Sequence, residues 1–376
     1  MDIFTRPIKI NDALKNNKVV VIYGARQVGK TTLVKEYLNT YEGKSAYHTG
    51  DDLEFSDAVS KCSLETFKKM FTGLSLIVID EAQKIENVGR AVKLMVDNMD
   101  SVKFILTGSS SFDLANKTGE TLTGRKTVLT LYPISQKEIL QNTSQFRIEK
   151  DLPEYLIYGS YPSVLTAKTY TDKEEKLREL VNSYLLKDIL AFNLVKSSKP
   201  IRDLLKLLAF QVGSEVSLNE LASSLEIDKN TVARYIDLLE KSFVLFSLGG
   251  FSRNLRKEVY KSQKYYFYDL GIRNSLISNL NSIDLRDDIG QLWENFLLIE
   301  RIKRNSYSKS YPNYYFWRTY DKKEIDFLEE HKGKLNAYEF KWSKNKVSTP
   351  TEFLNTYKNS NFEVVNKDNY SEFVDY

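Results

Sequence analysis

A glycine-rich segment near the N-terminus contains the residues best suited to chemistry. Residues 24–32 read GARQVGKTT and match the pattern G-x-x-x-x-G-K-[ST], between an apolar strand-like run and a helix-like run. The backbone N–H groups of such a loop wrap phosphate oxygens at a helix N-terminus, where the helix dipole also favours negative charge. The pattern therefore predicts a nucleotide site rather than a plain turn, made of Gly24, Ala25, Arg26, Gln27, Val28, Gly29, Lys30, Thr31 and Thr32.

Two carboxylates at the end of a second apolar run supply what this loop needs for catalysis. The run LIVIDEAQ, residues 76–83, contains Asp80 and Glu81. With ATP bound, Lys30 would reach the β- and γ-phosphates and Thr31 would ligate Mg²⁺. Asp80 would hold the same Mg²⁺ through water, and Glu81 would activate the attacking water as a general base. Capping of a following helix is the alternative role for the two carboxylates, and the loop upstream argues against it.

Polar residues beside two further strand-like runs are candidates to sense the γ-phosphate. Thr107 and Ser109 lie in the run FILTGSSS, and either one could contact that phosphate or the attacking water. Arg125 precedes the last strand-like run and is a candidate arginine finger or sensor, supplying positive charge to the transition state. An arginine on a surface turn is an equal alternative for Arg125. We expect Arg26, inside the loop, to be structural or to contact a partner.

A third set of charged residues lies near the C-terminus. Asp326 stands in the strand-like run EIDF, and Glu339 and Lys341 stand two positions apart in the next run. Alternate residues of a strand share a face, so Glu339 and Lys341 point the same way. Glu294 stands near the start of the helix-like run GQLWENFLL. This order predicts three carboxylates that bind Mg²⁺ or Mn²⁺ and a lysine that orients water to attack a phosphodiester. Two exposed strands with alternating charge are the alternative.

The elements that must position the first two motifs alternate between strand and helix. Residues 1–133 contain strand-like runs separated by segments long enough for crossover helices. Their continuous apolar stretches are typical of strands buried on both faces of a parallel sheet. We therefore predict an α/β fold, a P-loop NTPase domain whose strand order resembles the AAA+ class. The strand-like runs are residues 18–24, 44–50, 74–81, 103–110 and 127–133.

The middle of the chain is predicted to be mainly helical. Residues 134–198 form a helical connecting region, and residues 199–261 a winged-helix-like domain, in which two amphipathic runs meet at a turn before a strand. The start of the second run would face DNA in a major groove, although winged helices also serve as protein-binding or lid modules. The candidate DNA contacts are Lys229, Asn230, Thr231 and Arg234, and then the basic segment 253–257 with Lys261 and Lys264.

Composition places the chain among folded, cytoplasmic proteins with more than one domain. The chain has 376 residues, too many for one compact core. Its single cysteine, Cys62, excludes an intrachain disulfide and suits a reducing compartment. We expect no secretory signal and no membrane span, because no apolar run approaches about eighteen residues. A net charge of +4 neither requires nor excludes nucleic acid.

Over almost its whole length the chain resembles a bacterial and archaeal family of predicted ATPases. The resemblance rests on the P-loop and on TGSSSFDL, TGRKTVLTLYPIS, LLKDIL, TVARYIDLLEKSFV, KYYFYDLGIRN, LWENF, FWRT, EIDF and EFKW. It implies an AAA+ domain that binds ATP and Mg²⁺, a winged helix, and a PD-(D/E)xK nuclease-like domain over residues 262–376. The chain lacks the helical lid usual in AAA+ proteins. Neither ring assembly nor a sensor 2 arginine is therefore implied, and the oligomeric state stays open.

Three functions are compatible with these motifs. The first is an ATPase that couples its nucleotide state to the C-terminal half and acts on DNA. The second adds Mg²⁺- or Mn²⁺-dependent cleavage of DNA, regulated by ATP. The third is a nucleotide-gated switch that binds a protein partner and retains an inactive nuclease-like fold.

Overall fold

The computed structural model describes residues 4–109, 122–185, 198–252, 263–319, 323–343 and 347–374. The chain divides into two units. The N-terminal unit consists of Arg6–Tyr132 with Lys241–Phe243, and the C-terminal unit consists mainly of Pro133–Glu240 and Val244–Tyr376.

The N-terminal unit is built on a parallel sheet of five strands. Its strands are β1 (Val19–Tyr23), β2 (Ser45–Thr49), β3 (Leu76–Asp80), β4 (Lys103–Gly108) and β5 (Lys126–Thr130). They lie in the order β2-β3-β4-β1-β5, and each neighbouring pair is parallel. β1 and β3 are buried along their whole length, in keeping with their continuous apolar sequence. The predicted α/β fold with a parallel sheet is therefore confirmed.

Helices connect these strands and cover the sheet. They are α1 (Ile10–Asn16), α2 (Lys30–Asn39), α3 (Leu53–Ser60), α4 (Leu64–Met70) and α5 (Val88–Asn98). Alternate residues of β1, β3 and β4 share one apolar cluster with buried side chains of α3, α4 and α5. Because successive strand residues point to opposite faces, this cluster marks one face of the sheet as covered by those three helices.

The first part of the C-terminal unit is helical. It contains α6 (Gln136–Leu140), α7 (Gln145–Tyr158), α8 (Pro162–Leu165) and α9 (Tyr170–Glu179), which runs into a π-helical turn at Leu180–Leu185. α6 begins with a capping box, in which the side chains of Ser135 and Glu138 each bond the other residue's backbone N–H. The helix therefore has a fixed start three residues after the end of the N-terminal unit.

The next part combines three helices with three short strands. The helices are α10 (Ser198–Phe210), α11 (Leu218–Leu225) and α12 (Lys229–Lys241). The strands are β6 (Glu215–Val216), β7 (Leu245–Gly250) and β8 (Gln263–Phe267), and β8 pairs antiparallel with both of the others. The apolar face predicted for α12 is buried, at Val232, Tyr235, Ile236 and Leu239.

The last part contains a long helix and a mixed set of strands. Its helices are α13 (Leu270–Leu276), α14 (Ile289–Tyr307), α15 (Thr351–Thr356) and α16 (Tyr370–Val374). Its strands are β9 (Asn313–Arg318), β10 (Glu324–His331), β11 (Lys334–Phe340) and β12 (Ser360–Val365). β9, β10 and β11 are antiparallel, and β12 lies parallel to β11. Lys332 and Gly333 have positive φ angles of 52° and 78°, which suits the tight turn between β10 and β11.

All the strands of the C-terminal unit belong to one sheet. The strand order is β12-β11-β10-β9-β7-β8-β6. β7 joins the two halves of this sheet by pairing parallel with β9, Gly249 opposite Tyr315 and Gly250 opposite Phe316. Within the described ranges, every helix is too short or too polar to cross a lipid bilayer.

Candidate functional site

The predicted phosphate-binding loop lies between β1 and α2, as the motif requires. β1 ends at Tyr23 and α2 begins at Lys30, so the loop ends at a helix N-terminus. A side chain at Gly24 would put its Cβ 2.1 Å from the carbonyl oxygen of Leu131, which follows β5. Gly29, just before α2, has a φ of 98°, a region that glycine adopts readily. The local structure therefore favours glycine at both motif positions, at Gly24 because of the close contact and at Gly29 because of the positive φ.

The ammonium group of Lys30 lies within the mouth of this loop. Lys30 is buried, and its Nζ donates to the carbonyl oxygens of Gly24 at 2.8 Å and Ala25 at 2.9 Å. A phosphate oxygen is a stronger acceptor than a carbonyl oxygen because it carries charge. Lys30 can therefore exchange these carbonyls for phosphate. Elsewhere in the loop, Gln27 and Thr32 are exposed and Arg26 is half-buried.

Asp80 receives hydrogen bonds from three hydroxyl groups at the C-terminal end of β3. Thr31 Oγ1 donates to Asp80 Oδ2 at 2.7 Å, and Tyr47 OH donates to the same oxygen at 2.6 Å. Thr107 Oγ1 donates to Asp80 Oδ1. Burial would raise the pKa of Asp80, but the bonds from Thr107, Tyr47 and Thr31 and the charge of Lys30 outweigh it and lower that pKa.

The pairing of Thr31 with Asp80 fits a hard cation. A hydroxyl and an ionised carboxylate 2.7 Å apart are the oxygen donors that Mg²⁺ accepts in nucleotide sites. Thr31 stands in the first turn of α2 and Asp80 at the end of β3, so the sheet itself brings the two motifs together.

Glu81 follows directly and is held by polar side chains from two elements. Its backbone is left-handed, with φ 50° and ψ 40°, and its N–H donates to Thr107 Oγ1 at 3.2 Å. Gln83 Nε2 donates to Glu81 Oε2 at 2.5 Å and to Ser109 Oγ at 3.2 Å. Both sensor candidates therefore lie at this edge, Thr107 against Asp80 and Ser109 linked to Glu81 through Gln83.

Tyr47 and Gln83 are functional candidates that sequence reasoning missed. Tyr47 lies in the strand-like run KSAYHTG, whose position beside β3 became evident only from the sheet order. Gln83 follows the two carboxylates in LIVIDEAQ, and its proximity to them in sequence was the signal available.

Arg125 lies away from this site within its own unit. It immediately precedes β5, and its carbonyl oxygen accepts from the N–H of Val19, the first residue of β1. β1 and β5 are parallel, so Arg125 lies at the edge of the sheet opposite to the loop. Its Nε instead bonds Asp97 Oδ1 at 2.9 Å on the surface. The expectation that Arg125 supplies charge to the site of its own chain is therefore not supported.

The predicted C-terminal residues come from three neighbouring elements of the C-terminal unit. Glu294 lies in α14, Asp326 in β10, and Glu339 at the end of β11 with Lys341 just beyond it. Lys341 Nζ bonds Glu339 Oε1 at 2.7 Å, and the N–H of Phe340 donates to Asp326 Oδ2 at 2.8 Å. Burial and then the charges of Glu294 and Glu339 raise the pKa of Asp326, so the three carboxylates influence one another.

Lys264, on β8, is part of this cluster and not a DNA contact. Its side chain is 3% exposed and pairs with Glu324, and its Nζ lies 3.6 Å from Glu294 Oε1. Burial would lower the pKa of Lys264, but Glu294 and Glu324 raise it. The expectation that Lys264 tracks a phosphate backbone is therefore wrong, because its side chain is buried and its charge is paired with carboxylates of the protein.

The carboxylates do not form a ready metal site. Across the part of the chain that the structure describes, no three or more His, Cys, Asp or Glu side chains are placed to hold a metal ion. The predicted cluster contains amines and N–H donors that already occupy carboxylate oxygens, including Lys264 at Glu294 and Lys341 at Glu339. The prediction of a preformed Mg²⁺ or Mn²⁺ site at these residues is therefore not supported.

The predicted DNA contacts on α12 are largely accessible. Lys229, Asn230 and Arg234 are exposed, whereas Thr231 is half-buried. The N–H of Thr231 donates to Asp228 Oδ1 at 3.0 Å, so Asp228 caps the helix. The basic segment 253–257 and Lys261 lie outside the described residues.

Comparison with known families finds three matched regions in the chain. Residues 16–140 match a family model described as an AAA domain. Residues 16–140 are therefore an AAA-type ATPase domain. Residues 149–283 and 289–372 match two models that are each described as a domain of unknown function.

Similar proteins share most of the chain. An uncharacterized protein of Mycobacterium tuberculosis is 28% identical over 348 residues, covering 91% of this chain and 74% of its own. An uncharacterized protein of Methanocaldococcus jannaschii is 24% identical over 352 residues, covering 87% of this chain and 75% of its own. A Walker-type ATPase of Pyrococcus abyssi has a TM-score of 0.48 and 18% identity, covering 73% of this chain and 96% of its own. The two sequence matches extend well beyond the AAA-type domain, so the parts of the chain occur together in relatives.

Proposed function

We propose that this protein binds ATP with Mg²⁺ at the loop of residues 24–32 and hydrolyses it. The observation that carries this proposal is the 2.7 Å bond between Thr31 and Asp80, which joins the loop to the carboxylate strand. Bound Mg²⁺ would neutralise phosphate charge that develops during transfer to water. Lys30 would bind the β- and γ-phosphate oxygens, while Thr31 and Asp80 would hold the cation.

Glu81 is the proposed general base of this reaction. It lies next to Asp80 and accepts a hydrogen bond from Gln83, which would fix the direction of its carboxylate. Thr107 and Ser109 end the neighbouring strand and would contact the γ-phosphate or the water. Thr107 already bonds Asp80, whereas Ser109 is linked to Glu81, so the two have different proposed roles.

Steady-state hydrolysis and nucleotide binding in variants test this proposal. Lys30→Ala is expected to lose both, since it removes the phosphate contact. Glu81→Gln is expected to bind ATP normally and hydrolyse it about a hundredfold more slowly, the usual loss for a missing general base. Lys93→Ala, at an exposed position of α5, is the control and keeps full activity. Equal hydrolysis by wild type and Lys30→Ala would contradict the proposal.

The connection between this site and the C-terminal unit supports coupling. Within the N-terminal unit, Arg6 Nη1 donates to the carbonyl of Val28 in the loop at 3.4 Å. Its Nη2 donates to the carbonyl of Tyr132 at 2.5 Å. The last residue of the N-terminal unit is thus held to the phosphate-binding loop through one guanidinium group. A shift of the loop on nucleotide binding would reach Tyr132 through these bonds.

The residues that follow Tyr132 in the chain are hydrogen-bonded to α14 within the C-terminal unit. Lys303 Nζ donates to the carbonyl of Ile134 at 3.2 Å, and the N–H of Gln136 donates to Glu300 Oε2 at 2.8 Å. Lys303 and Glu300 form a buried ion pair at 2.8 Å. The helix α14 also carries Glu294. Movement of Tyr132 would therefore be passed along the chain to the helix that bears the C-terminal cluster.

The C-terminal unit is proposed to contain a winged helix that acts on DNA. The order helix, short strand, two helices, two strands, with β8 pairing β6 and β7, supports that fold. The exposed Lys229, Asn230 and Arg234 at the start of α12 would contact the duplex. Binding of duplex DNA that weakens steeply with salt, and weakens further in Arg234→Ala, is the expected result. DNA binding that is absent at low salt would favour a protein partner instead.

The remainder of the C-terminal unit is proposed to have the PD-(D/E)xK nuclease-like fold. Its order of α14, three antiparallel strands, α15 and a parallel fourth strand supports this, as do the positions of Glu294, Asp326, Glu339 and Lys341. Between the two hypotheses for this domain, the buried pairing of Lys264 with Glu324, and its place beside Glu294, favours a module that binds without cleaving. Incubation of plasmid DNA with Mn²⁺ tests this choice, because cleavage that disappears in Asp326→Ala would establish the nuclease.

A further inference from the structure

A lysine of β8 lies among the carboxylates of the C-terminal cluster. Lys264 belongs to β8, which pairs with β6 and β7, whereas Glu294, Glu324 and Asp326 belong to α14 and β10. The lysine side chain is 3% exposed, and its Nζ lies 5.2 Å from the centre of the Phe316 ring. Its ammonium group is therefore withdrawn from solvent and faces acidic groups on one side.

Each carboxylate of the cluster already has a hydrogen-bond donor or cation of the protein. Tyr266 OH donates to Glu294 Oε1 at 2.6 Å, and the same oxygen lies 3.6 Å from Lys264 Nζ. Glu324 pairs with Lys264. Asp326 and Glu339 are bonded by the N–H of Phe340 and by Lys341, at 2.8 Å and 2.7 Å. One oxygen of each of Glu294, Asp326 and Glu339 is thus engaged by a donor of the chain.

The burial of the charged groups in this cluster favours a positive charge among them. Lys264 is 3% exposed and Glu294 15% exposed, and Lys264 Nζ lies 3.6 Å from Glu294 Oε1. Carboxylates withdrawn from water are costly unless a positive charge compensates them. An ammonium group and a divalent cation would both do so, and the repulsion between them disfavours a divalent cation at carboxylates that an ammonium group already neutralises.

We propose that Lys264 is an internal cation that takes the position of a metal ion in this cluster and excludes divalent cations from it. The lysine is then the residue that determines whether the nuclease-like elements can accept Mg²⁺ or Mn²⁺. Its removal would leave Glu294 without the buried ammonium group that lies 3.6 Å from its Oε1. The carboxylates of Glu294, Asp326 and Glu339 present the hard oxygen donors that both cations prefer.

A titration with Mn²⁺ alone tests the proposal. Calorimetry and the electron paramagnetic resonance signal of free Mn²⁺ measure how much of the ion binds. The full chain is used without nucleotide. Lys264→Met is expected to gain a Mn²⁺ site at least about tenfold tighter than any site of the wild type, equivalent to about 1.4 kcal/mol. The added substitution Asp326→Asn is expected to remove that gain. Lys264→Arg, which keeps the charge, is expected to gain nothing.

Two results would overturn the proposal. One is Mn²⁺ binding by the wild type that is lost in Asp326→Asn, because the cluster would then accept the cation with Lys264 in place. The other is a folded Lys264→Met protein, checked by circular dichroism, that binds Mn²⁺ no better than the wild type. The first measurement needs no change at Lys264, so it decides the question even where Lys264→Met does not fold. Neither result depends on ATP hydrolysis by the N-terminal unit.

Discussion

The carboxylate of Asp80 accepts bonds from the hydroxyl groups of Thr31, Thr107 and Tyr47, and Tyr47 belongs to no recognised motif. A phenol that donates to one carboxylate oxygen fixes the rotation of the whole group, since the two oxygens move together. Burial, and then the bond to Asp80, raises the pKa of Tyr47, so the phenol keeps its proton and remains a donor. At the scale of single residues, Tyr47 is therefore a positioning group for the proposed cation site.

Tyr47→Phe is expected to weaken the effect of Mg²⁺ on nucleotide affinity. A hydrogen bond to a charged group is worth about 1.5–3 kcal/mol, so we expect about a tenfold loss in the affinity gained from Mg²⁺. Affinity measured in EDTA should stay unchanged, because Tyr47 bonds Asp80 rather than the loop. Calorimetric titration with ADP, with and without Mg²⁺, measures both values. Tyr41→Phe, whose hydroxyl bonds Ser75, is the matched control, and an equal loss in that variant would contradict the assignment.

Gln83→Ala is expected to slow hydrolysis while leaving nucleotide affinity intact. The amide bonds both Glu81 and Ser109, so its removal frees the proposed base without touching Lys30 or Thr31. A base that is present but poorly oriented loses part of its effect, and we expect about a tenfold fall in kcat. Single-turnover hydrolysis and equilibrium binding of ATP separate the two quantities. A variant with weaker binding and normal kcat would show that Gln83 acts on the loop instead.

The residue positions that could be predicted are those fixed by local spacing. Lys30, Thr31, Asp80 and Glu81 stand in runs whose pattern alone determines their position at a strand end or helix start. Tyr47 and Lys264 could not be found this way, because each contacts a residue brought near by strand pairing or chain reversal, whereas Gln83 lies two residues after Glu81. The sequence left two roles open for Arg125, since its edge of the sheet depends on the parallel pairing of β5 with β1.

Buried ion pairs secure the start of α14 at the scale of secondary-structure elements. Asp288, directly before the helix, pairs with Arg273 of α13 and bonds Arg286 Nη2 at 2.8 Å. Burial would raise the pKa of Asp288, but bonds from Arg286 and Arg273 lower it below its usual value. The carboxylate is 16% exposed, so solvent screens this interaction only weakly. These contacts connect α13 to the helix that carries Glu294, Glu300 and Lys303.

Asp288→Asn is expected to destabilise the C-terminal unit by about 3–5 kcal/mol, the usual cost of removing one partner of a buried pair. A group whose pKa is lowered on folding stabilises the protein above its unfolded pKa of about 3.9 and loses that effect as pH falls through the folded pKa. The difference in free energy of unfolding between wild type and variant should therefore be constant near neutral pH and shrink below about pH 4. Urea unfolding at several pH values measures it, and a difference that grows on acidification would contradict the pairing.

Element types were easier to predict than element neighbours. The parallel sheet of the N-terminal unit followed from its continuous apolar runs, and the apolar face of α12 from its helical period. The pairing of β7 with β9, which are far apart in the chain, leaves no local pattern, because a strand's own sequence does not identify its partner.

At the scale of the whole molecule, we propose that a change at the nucleotide site is transmitted along the chain to α14. Arg6 ties the phosphate-binding loop to Tyr132, and the pair of Glu300 and Lys303 ties the following residues to α14. The chain has three tryptophans, at positions 293, 317 and 342, all in the C-terminal unit. Tryptophan emission therefore reports on that unit alone, while the nucleotide binds in the other.

ATP is expected to change the tryptophan emission of the wild type, and Glu300→Gln is expected to abolish that change. The variant removes the charge that holds Gln136 and Lys303 but leaves the nucleotide site untouched, so its ATP affinity should be normal. Fluorescence titration, with affinity checked independently by calorimetry, makes the comparison. Glu149→Gln, at an exposed position of α7, is the control. A full emission response in Glu300→Gln would place the coupling elsewhere.

The pairing of β7 with β9 crosses the boundary between two regions of the chain that match separate family models. The family matches end at residue 283 and resume at residue 289, which invites cutting the chain there. β7 lies before that cut and β9 after it, although the two strands are neighbours in one sheet. A fragment beginning at residue 289 would carry β9 with an open edge of unpaired N–H and C=O groups, a surface prone to self-association. The two regions match separate family models, yet their strands form one sheet, so they have to be expressed and purified together.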